Sequence, residues 1–161
     1  MDKKTLIRGV VPVVIVVAIL SNVEECCALS KEKQEVKKTI GVEKEWKGYH
    51  CGYTKTARLV IKTEDRWKEV WGKVHLLRVL QQELPKIDFQ KEMVIAVFMG
   101  ERKSGGYEIE IREIIKTEKE IVVEVEEKEP PPESLQSMAI TQPYHIVVVK
   151  SSPLPIRFQH P

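Results

Sequence analysis

The sequence predicts a mainly β domain with one amphipathic helix (an α+β protein), arranged as an antiparallel sandwich or an open barrel. Only one segment, after Thr63, has the periodicity of an amphipathic helix. Strands do not alternate regularly with helices, so hairpin-like connections should dominate. Short apolar or alternating segments typical of strands recur along the chain, at 57–61, 94–98, 107–115, 121–125, 145–149 and 156–158.

The length and charge of the chain narrow the possible functions. A chain of 161 residues is long enough for one domain with its own apolar core. The 26 basic and 24 acidic residues are interspersed, and the formal net charge is only +2. We therefore expect no nucleic-acid partner and no strongly charged surface for membranes.

Residues 1–28 are predicted to be a signal peptide or a short N-terminal membrane anchor. Lys3, Lys4 and Arg8 precede an apolar stretch at 10–20, and small residues follow at 26–28. This apolar stretch is shorter than the ~20 residues that a spanning helix needs. We therefore expect export to the cell surface, the periplasm or the medium, with cleavage after Ala28, and an uncleaved anchor as the alternative.

The remaining chain divides into a linker and a folded domain. Residues 29–45 are rich in Lys and Glu and poor in apolar residues, so they are interpreted as a charged linker. Residues 46–161 are predicted to form the β-rich domain. Cleavage after Ala28 would leave Cys51 as the sole cysteine, which excludes an internal disulfide.

The helix is predicted from Thr63 onward. Glu64 and Asp65 suit the positive end of a helix dipole, and Thr63 is a favourable N-cap residue. Pro85 ends the helical pattern. The apolar positions recur on one face and should pack on the sheet; they are Trp67, Val70, Trp71, Val74 and Leu77.

Two loops are predicted to form a protein-binding surface. The Gly105–Gly106 pair lies between two strands and permits a tight turn that exposes main-chain groups. Gln142, Pro143 and Tyr144 precede the apolar strand at 145–149, and Pro143 should present Tyr144, a residue type enriched in binding hot spots. We expect Ser104, Gly105, Gly106 and Tyr107 to share one end of the sheet with these residues. The alternative is a purely structural hairpin, with Tyr107 and Tyr144 packed against each other inside.

The sequence does not favour catalysis, a metal or a cofactor. Ser104, His145 and Asp88 offer the residue types of a hydrolase, but Ser104 does not lie in a nucleophile-elbow sequence. His50 and Cys51 would supply only two ligands for a metal. We therefore expect a protein that is not an enzyme.

The segment Gly100 to Tyr107, read Gly-Glu-Arg-Lys-Ser-Gly-Gly-Tyr, resembles the signature loop of the PrcB C-terminal-domain family. Ser104 stands where this family usually has Thr. Asp88-Phe89, Trp67-x-x-x-Trp71 and the stretch 139–147 also fit, so the resemblance covers roughly residues 48–158. It implies an accessory protein of a secreted protease complex, which would be a non-catalytic domain that binds and stabilises a protein partner.

A partial resemblance supports a second hypothesis. The loops 103–107 and 142–144 are similar to the loops with which chagasin-type inhibitors enter a cysteine-protease cleft. The pattern is incomplete, because no Asn-Pro precedes the first loop and Ile109 stands where those inhibitors carry Trp. This resemblance implies a protease inhibitor.

Overall fold

The computed structural model describes residues 37–76 and 83–160, which lie within one compact unit of the chain. The predicted signal or anchor segment, 1–28, and residues 29–36 of the predicted linker lie outside the described residues. No helix in the described part is long and apolar enough to cross a membrane. The elements are β1 (Lys38–Thr39), β2 (Lys44–Gly48), β3 (Ala57–Ile61), α1 (Glu64–Val74), β4 (Glu92–Phe98), β5 (Glu108–Lys116), β6 (Ile121–Lys128), β7 (Tyr144–Lys150) and β8 (Ile156–Gln159).

The strands form two separate four-stranded sheets in a sandwich-like arrangement. The first sheet has the order β1-β5-β6-β8 and the second has the order β2-β7-β4-β3. The sheets do not close into a barrel. All pairs are antiparallel except β6 with β8. This exception arises because β8 follows a strand of the other sheet, so no hairpin sets its direction.

Both faces of β4 are buried, which explains its uninterrupted apolar sequence. Val94, Ala96 and Phe98 belong to the cluster under the helix. The alternating residues, such as Ile95 and Val97, belong to a cluster that also contains apolar residues of the first sheet. Side chains alternate between the faces of a strand, and here each face meets an apolar layer.

The helix packs on the second sheet as its periodicity predicts. Trp67, Val70, Trp71 and Val74 are buried, and Leu77 of the predicted stripe lies outside the described residues. Thr63 is the N-cap residue, but its side chain makes no capping hydrogen bond. His75 follows the helix and is buried against it: its Nδ1 lies 3.0 Å from the carbonyl oxygen of Trp71, and its ring centroid lies 4.1 Å from that of Trp71.

The folded domain begins earlier than the predicted boundary at Trp46. β1 pairs with β5, and β2 pairs with β7, although both begin inside the predicted linker 29–45. Every residue of β1 and most residues of β2 are exposed or half-buried at a sheet edge. An edge strand needs only main-chain pairing, so its side chains can be Lys and Glu without an apolar pattern.

Candidate functional site

The structure brings the two predicted loop segments together at one end of the second sheet. Arg102 and Thr141 exchange main-chain hydrogen bonds of 2.8 and 3.0 Å. The hydroxyl of Thr141 donates to the carbonyl oxygen of Ser104 over 2.8 Å. This proximity follows from topology, because Phe98 and Tyr144 are directly paired on the neighbouring strands β4 and β7.

The glycine pair allows the proline-rich connector, residues 129–137, to approach the loop closely. The Gly105 amide donates to the carbonyl oxygen of Ser137 over 3.0 Å, and a Cβ at Gly105 would lie 2.7 Å from the Ser137 hydroxyl. Gly106 has a φ of 86°, and a Cβ there would meet the side-chain oxygen of Gln136 and lie 2.8 Å from Cβ of Pro130. Both glycines therefore have a structural role in seating the connector.

Gln142, Pro143 and Tyr144 are buried, so the prediction that Pro143 presents Tyr144 on the surface was wrong. The Gln142 amide donates to the carbonyl oxygen of Tyr49 over 2.7 Å. The ring of Tyr144 packs 6.4 Å from that of Phe98 in the cluster under the helix. These residues close the end of the second sheet, which is why a proline-fixed backbone is useful there.

Tyr107 is half-buried and contributes to the other cluster, between the sheets. The guanidinium of Arg102 lies 5.6 Å from the centroid of its ring. Tyr107 and Tyr144 therefore belong to different apolar clusters. They do not pack against each other, as the alternative of a purely structural hairpin had predicted. Ser104 and Gly105 are half-buried and Gly106 is exposed, so the tip of the loop remains partly accessible.

An exposed apolar strip lies beside the loop, and sequence reasoning missed it. Leu135, Met138 and Ile140 are 103%, 94% and 57% exposed. Two contacts hold the strip: the bond from Gly105 to Ser137, which lies between Leu135 and Met138, and the pair of Thr141 with Arg102 directly after Ile140. Within the described residues, no main-chain hydrogen bond involves 138–140. The available signal was the spacing of large apolar residues among small ones after three prolines.

A buried histidine connects the two sheets near this site. The amide of Ile111 in β5 donates to Nδ1 of His145 over 2.8 Å, beside the bulge that shifts register between Ile111 and Glu113. Nε2 of His145 lies 3.0 Å from a carboxylate oxygen of Glu45 on β2. Because Nδ1 accepts, Nε2 carries the proton and donates. Burial lowers the pKa of His145, and this effect outweighs the opposing attraction of Glu45.

Three polar contacts lie at the start of β5. The Tyr49 hydroxyl donates to Glu108 over 2.9 Å, and this bond, together with burial, raises the pKa of Tyr49. Nζ of Lys47 lies 4.0 Å from Glu108 and 3.7 Å from Glu110. These contacts hold side chains at the surface of β2 and β5, and exposed ion pairs of this kind contribute little to stability.

Two of the three residues that suggested a hydrolase, His145 and Asp88, are engaged in other interactions. Both ring nitrogens of His145 contact Glu45 and Ile111, as described above. The carboxylate of Asp88 accepts from the amide of Gln90 over 3.1 Å in a turn. Among residues 37–76 and 83–160, no group of three or more His, Cys, Asp or Glu side chains could hold a metal ion.

Comparison with known families confirms the predicted resemblance over the centre of the chain. The family model described as PrcB C-terminal matches residues 93–150. This range runs from β4 to the end of β7 and includes the glycine loop and the exposed strip, but not Trp67 or Trp71. No curated protein matches the sequence, and no solved structure matches it.

Proposed function

From the match of residues 93–150 to the PrcB C-terminal family, we propose that this chain is a non-catalytic, extracytoplasmic interaction domain. It binds and stabilises a protein partner, such as a secreted protease. The accessory role comes from the family resemblance, and the location outside the cytoplasm comes from the basic and apolar N-terminal sequence.

The exposed apolar strip is the observation that carries this proposal. Large apolar side chains in water are costly, and each gains about 1.5–3 kcal/mol when it becomes fully buried. Leu135, Met138 and Ile140 lie within six residues of each other on one segment, so a partner could bury them together. Exposed apolar residues grouped in this way are typical of interaction sites.

The geometry of the strip also favours binding. Main-chain bonds to Gly105 and Arg102 hold its backbone in place, so less conformational entropy is lost when a partner docks. Glu101 and Lys103 are exposed on the adjoining loop and can orient a partner through their opposite charges. Ser104 to Tyr107 thus form the rim of the proposed surface. Gln142 to Tyr144 are buried beneath this end of the sheet and support it.

The inhibitor hypothesis gains no support from this geometry. Gln142, Pro143 and Tyr144 would have to enter a protease cleft, yet all three are buried in this fold. The first loop is also attached to the connector through Gly105. A chagasin-like inhibitor would need both loops free at its surface.

The proposal is tested by affinity capture from the exported fraction of the native cells, followed by mass spectrometry. The wild-type chain should capture a partner, and the double variant Leu135→Ser/Met138→Ser should capture at least tenfold less, which corresponds to about 1.4 kcal/mol. The matched control is Val42→Ser, since Val42 is a 47% exposed apolar residue outside the strip.

All three proteins should unfold at nearly the same temperature, because the substituted side chains are exposed. Ser104→Arg places a large charge on the rim and should also weaken capture. Equal capture by the strip variant and the wild type would contradict the proposal. In a parallel assay, inhibition of a papain-like protease by the purified chain would favour the inhibitor hypothesis.

A further inference from the structure

A pocket of about 300 Å³, lined by charged, hydroxyl and apolar residues, lies at the opposite end of β7 from the candidate site. Its lining includes Lys38, Lys116 and Lys150, together with Ser151 and Glu43. Tyr144 and Lys150 begin and end β7, so about 20 Å of strand separates the two sites. The pocket is thus a feature independent of the proposed protein-binding surface.

The arrangement of lysines in this pocket is electrostatically unfavourable on its own. Lys38 and Lys116 are directly opposite each other in the antiparallel pair of β1 with β5. Like charges in such positions destabilise a sheet, because their side chains project to the same face about 5 Å apart. Lys150 adds a third positive charge, whereas Glu43 is the single acidic residue among the lining residues.

The pocket keeps an excess of positive charge, although Glu43 lines it and Glu92 lies directly opposite Lys150 in the pair of β4 with β7. Among the residues that the structure describes, Lys38, Lys116 and Lys150 form no ion pair, whereas Lys47, Lys68, Lys91 and Lys128 each do. An anion between the three lysines would remove their mutual repulsion and gain their attraction. The pocket therefore has the charge of an anion site.

We propose that this pocket binds a phosphate-bearing anion. Lysine binds phosphate as a point charge with three donors, and a serine hydroxyl can add a further hydrogen bond. The volume is at the lower end of the range for small-molecule sites, which suits a group of the size of phosphate or pyrophosphate.

The phosphate can belong to a free anion or to a lipid headgroup. Residues 29–37 separate Lys38 from the predicted signal or anchor segment, so an anchored chain would bring the pocket close to a lipid surface. Both sources present the same chemistry to the three lysines, and the experiment distinguishes them.

The test is calorimetric titration of the full chain with inorganic pyrophosphate. Lys116→Gln should lower the affinity about fivefold, the effect of one lysine near an anionic group. Lys55→Gln is the matched control, because Lys55 is an exposed lysine outside the pocket and this change removes the same charge. A second arm measures binding to vesicles of phosphatidylcholine with and without phosphatidylglycerol.

Each outcome decides the proposal. Pyrophosphate binding that Lys116→Gln weakens and Lys55→Gln does not supports a free-anion site, and the same pattern with phosphatidylglycerol vesicles alone supports a headgroup site. Failure of both ligands, or equal weakening by Lys55→Gln, overturns it. The strip variant Leu135→Ser/Met138→Ser should bind pyrophosphate normally, so this result is separable from that of the proposed function.

Discussion

At the scale of single residues, His145 shows how one side chain joins two sheets. Its ring is buried in β7 of the second sheet, yet it accepts a hydrogen bond from β5 of the first. The bulge after Ile111 leaves that amide without a regular ladder partner, and Nδ1 satisfies it. A buried donor without a partner costs about 1–3 kcal/mol. By accepting this hydrogen bond, His145 stabilises the contact between the two sheets.

The burial of His145 leads to a prediction about pH. Its pKa in the folded protein is lowered from 6.5, so the unfolded chain takes up this proton at higher pH than the folded chain does. The stability that neutral His145 contributes is therefore complete above pH 6.5 and is lost as the pH falls through its folded pKa. Urea unfolding at a series of pH values should show this loss in the wild type and a smaller one in His145→Gln.

The charged groups near His145 are the same in the wild type and in His145→Gln. Glu45 and Lys47 on β2 and Glu110 on β5 face His145 and are present in both proteins, which differ only in the residue at position 145. His160→Gln, a change at an exposed histidine, should leave the pH dependence of the wild type unchanged. Identical pH profiles for the wild type and His145→Gln would show that the buried ring does not control acid stability.

At the scale of elements, the glycine loop and the proline-rich connector form one unit. The loop carries none of the exposed strip itself, but its glycines let the connector, residues 129–137, lie against it. The connector contains Leu135 of the strip, and the chain continues through Met138 and Ile140 into β7. The two glycines of this loop are therefore needed for the close approach of two backbone segments. This structural role is separate from any role at the rim of a binding surface.

A substitution in this loop tests that reason. Gly106→Ala should lower the free energy of unfolding by about 1–3 kcal/mol, because φ is positive and the new Cβ would lie 2.8 Å from Pro130. Gly41→Ala is the control, since a Cβ at Gly41 meets nothing within 4 Å, and its effect should stay within about 0.5 kcal/mol. Chemical denaturation measures both. Equal stability of the two variants would mean that the connector can move aside without cost.

At the scale of the whole molecule, the two proposed sites lie at opposite ends of β7. The apolar strip adjoins the beginning of this strand, and the lysine pocket adjoins its end. A single rigid strand, buried on both faces, therefore separates a surface for a protein from a pocket for an anion.

The N-terminal sequence carries a prediction about the whole chain. If residues 1–28 are a signal peptide, the mature protein should be found outside the cytoplasm and begin near Leu29. Mass spectrometry of the native protein from separated cell fractions checks this. A soluble cytoplasmic protein that retains Met1 to Leu29 would contradict export, whereas an intact chain in the membrane fraction would indicate the anchor.

Local patterns in the sequence determined the main elements. Ala57–Ile61 is the predicted strand residue for residue, and β4 extends the predicted strand 94–98 by only two residues. The helical stripe from Trp67 to Val74 is buried as expected. These predictions succeeded because the spacing and number of apolar residues in an element depend on how many of its faces are buried. The proximity of the two loops was also predictable, since antiparallel neighbours place the end of β4 beside the start of β7.

Tertiary structure alone decided which side chains at that end face a partner. Leu135 to Ile140 and the residues Gln142 and Pro143 before β7 are both short, irregular segments, and nothing in their local sequence distinguishes buried from exposed. Burial at Gln142 to Tyr144 depends on distant segments that the fold brings near: the carbonyl of Tyr49 accepts from Gln142, and the ring of Phe98 packs near that of Tyr144. The pairing of Lys38 with Lys116 is likewise invisible in sequence, because the partners of edge strands are set by main-chain hydrogen bonds that carry no side-chain pattern.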